Sequence, residues 1–296
     1  MSDSSAKLDT PKVRKNVRLG ERDLQILLAV GDYQVLTTSQ IQRLHFPSLS
    51  RARKRLRQLT GCGLLRQYRR AVVVGTGSSD ALYFSTPKAI RTLERTGSIS
   101  KPHNFRVSGI RSEFFLDHTL ARNDFRIGLE LACRFQRDIE LRNWKQDRSV
   151  TRSVNLVHGD RSPTMERITI VPDGQFDLIR HGELQRFYVE IDRGTTSLSR
   201  IRWKMLGYVQ LFLTRREVEF TVLWSINSTR RMQNLMQAAR DSRHPVTAEK
   251  IFRFAVSHPE WSVNPARTLS PEWLSIEGSP TGLLPAMPHL SKDIED

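Results

Sequence analysis

Apolar residues recur at helical spacing from Glu21 onward, with Leu24, Leu27 and Leu28 on one side, Val30 close behind and Gly31-Asp32 stopping the run. This predicts a first helix. Thr37-Thr38-Ser39-Gln40 then sets a hydroxyl three residues ahead of a glutamine, before Ile41 and Leu44, as in a capping box. A short second helix should end near His45. Phe46-Pro47-Ser48-Leu49-Ser50 breaks it, because Pro47 disfavours α geometry in the residue before it, and Ser48 or Ser50 can cap a third helix running to about Thr60. In that helix Leu49, Ala52, Leu56 and Leu59 form one apolar stripe, and Arg51, Arg53, Lys54, Arg55 and Arg57 fill the rest. Gly61-Cys62-Gly63 ends it. Tyr68 to Val74 and Ala81 to Phe84, joined by the turn Gly75 to Asp80, read as a hairpin. Thr86-Pro87 supplies a cap and a first-turn proline for a fourth helix to about Arg95.

Residues 112–136 read as a long helix with Phe115, Leu120, Phe125, Leu129, Ala132 and Cys133 among its apolar positions. Strand patterns follow at Glu140 to Trp144, Ile168 to Val171, Phe176 to Ile179 and Phe187 to Ile191. A helix at about Ser197 to Leu213, a strand Val218 to Ile226, a helix near Thr229 to Arg240 and a strand Phe252 to Val256 complete the pattern. The fold class expected is α+β. It comprises a flexible basic arm (1–17), a winged helix-turn-helix (18–97), a linker (98–111), an α+β domain (112–260) and a loosely ordered tail (261–296).

Charge sharpens this division. Residues 1–110 hold 20 Lys/Arg against 7 Asp/Glu, a balance of +13, whereas residues 111–296 hold 27 against 24. A basic first third beside a near-neutral remainder points to a dedicated polyanion-binding module. The 23 aromatic residues among 296 can supply real cores. No run of about 18 apolar residues occurs, and MSDSSAKLDT has no apolar segment after a basic start, so neither membrane spanning nor export is expected. Two cysteines, Cys62 and Cys133, build neither a disulfide framework nor a four-thiolate zinc site, and a cytoplasmic location fits them.

A recognition helix in a DNA major groove needs an apolar inner face and a cationic outer face, and residues 48–60 supply both. Arg51, Lys54, Arg55 and Gln58 are the expected base readers, since Arg suits guanine and Gln suits adenine. Arg53 and Arg57 lie nearer the flank and suit phosphates, as do Thr38, Ser39 and Gln40 at the preceding helix N-terminus. Arg66, Arg69 and Arg70 stand at the base of the wing. The stretch lacks interleaved aromatics that would stack single-stranded bases, so double-stranded DNA is the expected partner rather than RNA. A homodimer on paired half-sites is a further expectation.

In the second half, Asp173 begins one strand, and Glu190-Ile191-Asp192 ends the next, 17 residues after Asp173. This spacing evokes a PD-(D/E)XK nuclease core, in which an Asp and a Glu on adjacent strands hold Mg2+ or Mn2+ and a Lys two residues past the Glu supplies a cation. Asp173 and Glu190 would be the metal ligands. Asp192 occupies the Lys position, so the core reads as degenerate. Lys204 on the next helix, sharing a face with Arg200 and Tyr208, is the candidate replacement, and Glu113 or Asp117 could add a carboxylate. The eight histidines are scattered and offer no other catalytic set.

Two stretches together resemble the replication-relaxation family of plasmids and other mobile elements. The first runs from Leu36-Thr37-Thr38-Ser39-Gln40-Ile41 through Leu44-His45-Phe46-Pro47-Ser48 into the Arg-rich helix, Gly63-Leu64-Leu65 and Thr86-Pro87-Lys88. The second is Pro172-Asp173-Gly174, then Val189-Glu190-Ile191-Asp192-Arg193-Gly194-Thr195, with Lys204 and Tyr208 beyond. The resemblance covers about residues 20–226. It implies a DNA-binding accessory protein for replication, relaxation or mobilisation. A relaxase or replication proteins are further candidate partners, and no cofactor is expected unless the nuclease alternative holds. A metal-dependent nuclease or nickase and a transcriptional repressor stand as alternatives.

Overall fold

The computed structural model describes residues 17–70, 80–100, 112–158, 164–214, 219–257 and 260–284. Nearly all of the basic arm, the end of the first hairpin strand (71–74), the hairpin turn up to residue 79, most of the linker and the last residues of the tail lie outside them. The chain forms two compact units, up to Asp124 and from Phe125 on.

The first unit runs α1 (Glu21–Asp32), β1 (Leu36–Thr37), α2 (Thr38–His45), α3 (Leu49–Gly61), β2 (Leu65–Tyr68), β3 (Leu82–Ser85) and α4 (Pro87–Arg95), and takes in the first half of α5 (Glu113–Phe135). Local chemistry sets these boundaries. The Thr37 hydroxyl accepts from the Gln40 N–H at 3.0 Å while the Gln40 side chain accepts from the Thr37 N–H at 3.1 Å, closing the capping box at α2. Gly63 takes a left-handed φ of 70° after α3, and the Leu64 N–H reaches back to the Leu59 carbonyl at 3.0 Å, a Schellman stop. Thr86 caps α4, accepting from the Ala89 N–H at 3.1 Å. β2 pairs antiparallel with β3, which pairs antiparallel with β1. The hairpin's first strand thus starts at Leu65, earlier than its sequence pattern indicated, because the buried Leu64-Leu65 pair carries the chain directly into the sheet.

The boundary between units also differs from the expected linker, falling inside α5 rather than ahead of it. Asn123 explains this, since its buried amide donates to the carbonyls of Tyr33 at 3.0 Å and Val35 at 2.7 Å, while Leu116 packs with Val35, Leu82 and Phe84.

The second unit continues with β4 (Ile139–Lys145), β5 (Arg152–His158), β6 (Thr164–Ile170), β7 (Gly174–Arg180), β8 (Glu183–Asp192), α6 (Leu198–Leu213), β9 (Phe220–Ile226), α7 (Thr229–Arg240), α8 (Pro245–Ile251), β10 (Phe252–Val256), β11 (Trp273–Leu274) and β12 (Pro280–Thr281). Among the described residues seven strands form one sheet in the order β12-β11-β10-β9-β8-β7-β4, and β5 and β6 form a separate ribbon. β8, β9 and β10 run parallel, with α6 and then α7 and α8 as crossovers. His181 and Gly182, at φ 52° and 85°, make the two-residue turn between β7 and β8.

Strand alternation gives the sheet two different faces. One buries Tyr188, Val222, Trp224, Phe252 and Phe254 under α6, α7 and the β5–β6 ribbon. α6 lies so close to the ribbon that a Cβ on Gly207 would sit 2.9 Å from both Ile168 and Ile170. The other face carries an aromatic stack in which Phe176 lies on Trp144 and Phe187, and Phe125 meets Trp261 and Trp273 edge-on. These two tryptophans correct the expectation of a loose tail from residue 261. Both are buried and stacked at 5.1 Å, and β11 and β12 extend the main sheet. Large aromatic area outweighs the surrounding Pro, Ser and Gly.

Candidate functional site

Helix α3 turns Ala52, Leu56 and Leu59 fully inward. Arg51, Arg53, Lys54, Arg57 and Gln58 are exposed, and none of the four cations has a carboxylate partner among the described residues. Leu49, expected in the apolar stripe, is 38% exposed at the first turn. An open groove of about 300 Å3 runs beside the helix, lined by Arg51, Lys54, Arg55 and Gln58 together with Arg22, Asp23 and Phe46. Arg22, which no sequence pattern singled out, joins the cationic surface from α1, its guanidinium 5.4 Å over the Phe46 ring.

Arg55 is a correction. Its Nε and Nη2 donate to Asp23 at 2.6 and 2.5 Å, its Nη2 also to the Arg18 carbonyl at 3.0 Å, and its Nη1 to the Gln58 side-chain oxygen at 2.8 Å. The fork expected to read guanine is held by the protein's own carboxylate. Burial pushes the Asp23 carboxyl up, but the Arg55 guanidinium and the Gly20 N–H outweigh it and hold the group below its ordinary value.

The N-terminus of α2 is occupied from within in the same way. Thr38 is buried and donates to the Ala81 carbonyl at 3.4 Å, Gln40 is buried and donates to the Leu120 carbonyl at 3.2 Å, and the Ser39 N–H donates to Asp80 at 2.9 Å. Burial opposes ionisation of Asp80, yet hydrogen bonds from Ser39, Thr38 and Thr37 keep its carboxyl below the usual range. An acidic cap therefore sits where a phosphate was expected. Arg70 is likewise engaged, 2.5 Å from Asp117 and 3.5 Å from Glu113, which also removes those two carboxylates from the rear cluster. Arg66 and Arg69 stay exposed, Arg66 stacking over Phe84 at 5.3 Å.

In the second unit β7 and β8 bring Asp173 and Glu190 together, and α6 sets Lys204 and Tyr208 over them. Lys204 donates to Glu190 and, at 2.9 Å, to the Val171 carbonyl; the Tyr208 hydroxyl donates to the other Glu190 oxygen at 2.5 Å. The Ile191 N–H donates to Asp173 at 2.7 Å. Burial is the largest influence on Glu190 and pushes its carboxyl to about 7, with Asp173 adding to the rise and the Lys204 charge opposing it. Burial alone would lower Lys204, but Glu190 and Asp173 hold it above its ordinary value. Burial and then the Glu190 charge raise the Tyr208 hydroxyl well above 10. Of the three α6 residues spaced by four, Lys204 and Tyr208 reach Glu190, whereas Arg200 is exposed.

The donor set does not fit a divalent cation. Both Glu190 oxygens are taken by an ammonium and a hydroxyl. Asp192 pairs with Arg231 at 2.9 and 3.2 Å and accepts the Gly194 N–H at 2.6 Å. Among the described residues no three His, Cys, Asp or Glu side chains are grouped to hold a metal ion. No metal-dependent step follows from this arrangement.

A family model described as replication-relaxation matches residues 27–223, from α1 into β9, about two thirds of the chain. The chain belongs to the replication-relaxation family. No curated protein and no solved structure matches it. The family match covers the whole α3 surface and the Asp173–Glu190–Lys204–Tyr208 cluster, while Arg231, the partner of Asp192, lies beyond it. No helix among the described residues of this replication-relaxation protein is long and apolar enough to cross a membrane.

Proposed function

We propose that this protein is a sequence-preferring duplex DNA-binding factor serving replication, relaxation or mobilisation of a plasmid or other mobile element. The supporting observation is the outward face of α3, where Arg51, Arg53, Lys54 and Arg57 stand exposed with no carboxylate to neutralise them among the described residues. Three helices followed by an antiparallel hairpin and a further helix is the order of a winged helix-turn-helix, in which the third helix enters the major groove. In that docking Arg51 and Lys54 reach base edges, Arg53 and Arg57 hold phosphates, and Arg22 extends the contact onto α1. A homodimer on paired half-sites and a relaxase or replication protein as partner are part of the proposal.

The second unit is read as a nuclease-like scaffold used for binding or assembly. Its order of a long helix, antiparallel strands, a crossover helix and a parallel strand, with acidic residues on neighbouring strands, supports that likeness by analogy of fold alone. The internal pairing of Glu190 with Lys204 and Tyr208 favours the non-catalytic reading over the nuclease.

Purified protein mixed with fragments of a replicon that carries its gene tests both statements. Retention of particular fragments, weakening steeply with salt and leaving the DNA uncut in Mg2+ or Mn2+, is the expected result. Cutting abolished by Asp173→Ala or Glu190→Ala would replace the second statement with the nuclease, and loss of fragment selectivity would remove the first. Retained fragments from a promoter rather than an origin or transfer site would make the protein a repressor.

A further inference from the structure

We infer that Arg55 acts on DNA only through Gln58, fixing that side chain as a hydrogen-bond donor and so setting which bases it accepts. The inference rests on the DNA-binding reading and refines it. Arginine has five N–H groups. Four of those on Arg55 are spent inside the protein, on the two Asp23 oxygens, the Arg18 carbonyl and the Gln58 side-chain oxygen. Its capacity to grip a base edge bidentately is gone. Its remaining effect is on Gln58, three residues along α3 and exposed beside Arg51 and Lys54.

A free glutamine amide offers a carbonyl oxygen and an NH2 group and can turn either way, which is why it pairs with adenine, whose major-groove edge carries an acceptor at N7 beside a donor at N6. Here a guanidinium can donate only to the oxygen, so the amide has one orientation. Its Nε2 is left without a hydrogen-bond partner among the described residues. A positive group now lies at Oε1, and the adenine N6 amino group approaching that oxygen would be repelled. Bases that present acceptors without an adjacent donor, guanine through N7 and O6 and thymine through O4, suit the remaining NH2. Asp23 belongs to the same device, because it holds Arg55 in place from α1. Arg55 is therefore a positioning residue and Gln58 the specificity-determining one.

Selection of bound sequences from a randomised duplex pool, run in parallel with wild type and variants, tests this. Wild type is expected to enrich guanine or thymine at the position read by Gln58, and Gln58→Ala to make the four bases equivalent there while other positions keep their preference. Arg55→Met should move that same position to adenine by about fivefold or more, the worth of a bidentate pair over a single bond. Arg55→Lys, which keeps a charge against Asp23 but lacks the fork, should do likewise and covers the case in which the Met variant does not fold. Gln58→Glu leaves the Arg55 anchor intact, removes the donors and should favour cytosine. An Arg55 variant that changes a different position, or none, overturns the inference, as does adenine at the Gln58 position in wild type. Failure of wild type to enrich any duplex overturns the DNA-binding reading itself, a separate and recognisable result.

Discussion

Asp23 on α1 clamps Arg55 on α3 through two parallel hydrogen bonds of 2.6 and 2.5 Å, across 32 residues of sequence. The same carboxylate accepts the Gly20 N–H at 2.8 Å and so also caps α1. Asp23→Ala would leave a partly buried guanidinium unpaired and an end of α1 uncapped. A loss of about 2–4 kcal/mol is expected in urea denaturation at pH 7. Because the Asp23 carboxyl lies below its ordinary value when folded, its contribution is present above the unfolded pKa and disappears as pH falls through the folded one. The stability gap between wild type and variant should therefore close in acid.

Arg51 has no such tether. Arg51→Glu should relax or abolish site selection with little change in thermal stability, since the side chain is exposed and no carboxylate holds it among the described residues. Competition binding between a selected site and random duplex measures this, and a discrimination loss on the order of 1–3 kcal/mol is expected. Unchanged discrimination would remove Arg51 from the base-reading set.

Glu190 gives the second unit a pH signature. Its folded pKa, about 7, lies above the ordinary 4.5, so the folded state holds the proton more tightly. Its stabilising contribution is full below the unfolded value and is lost as pH rises through about 7. Melting followed between pH 4.5 and 8 should show this decline. Glu190→Gln, unable to ionise, should flatten it; an unaltered profile in that variant would assign the titration elsewhere.

Close packing makes Gly207 a sensitive position. Gly207→Ala places a methyl 2.9 Å from Ile168 and Ile170, and the ribbon must shift to admit it. Overpacking of this kind costs about 1–3 kcal/mol, outweighing the alanine's better helix propensity. A more stable variant by chemical denaturation would contradict the packing described for α6.

What was legible in the sequence was local. The Thr37/Gln40 capping box, the Thr86-Pro87 start of α4 and the Gly63 stop of α3 act over three to five residues, and each stands where its pattern placed it. That Lys204 and Tyr208 share a face of α6 was legible from their spacing of four, but that this face meets Glu190 was not, since Arg200 has the same spacing and is exposed. The engagement of Arg55 was not, since nothing near α3 in sequence announces Asp23. Asp80 reaches the Ser39 N–H from 41 residues away, and Arg70 meets Glu113 and Asp117 across a linker, so groups expected to face a phosphate or a base are engaged by carboxylates distant in sequence. The strands at Trp273 and Pro280 were not legible because two-residue strands carry no periodicity; the first has only the buried Trp273 to mark it and the second has no aromatic at all.

Arg53 and Arg57 carry the central claim most directly, as exposed cations on α3 assigned to phosphates rather than bases. The decisive measurement is the slope of log K against log salt for wild type, Arg53→Ala, Arg57→Ala and the double variant, on a selected site and on random duplex. Each single change should reduce the slope by about 0.9 and the double by about twice that, equally on both DNAs. Slopes that match wild type in all three variants would mean that α3 does not lie on DNA.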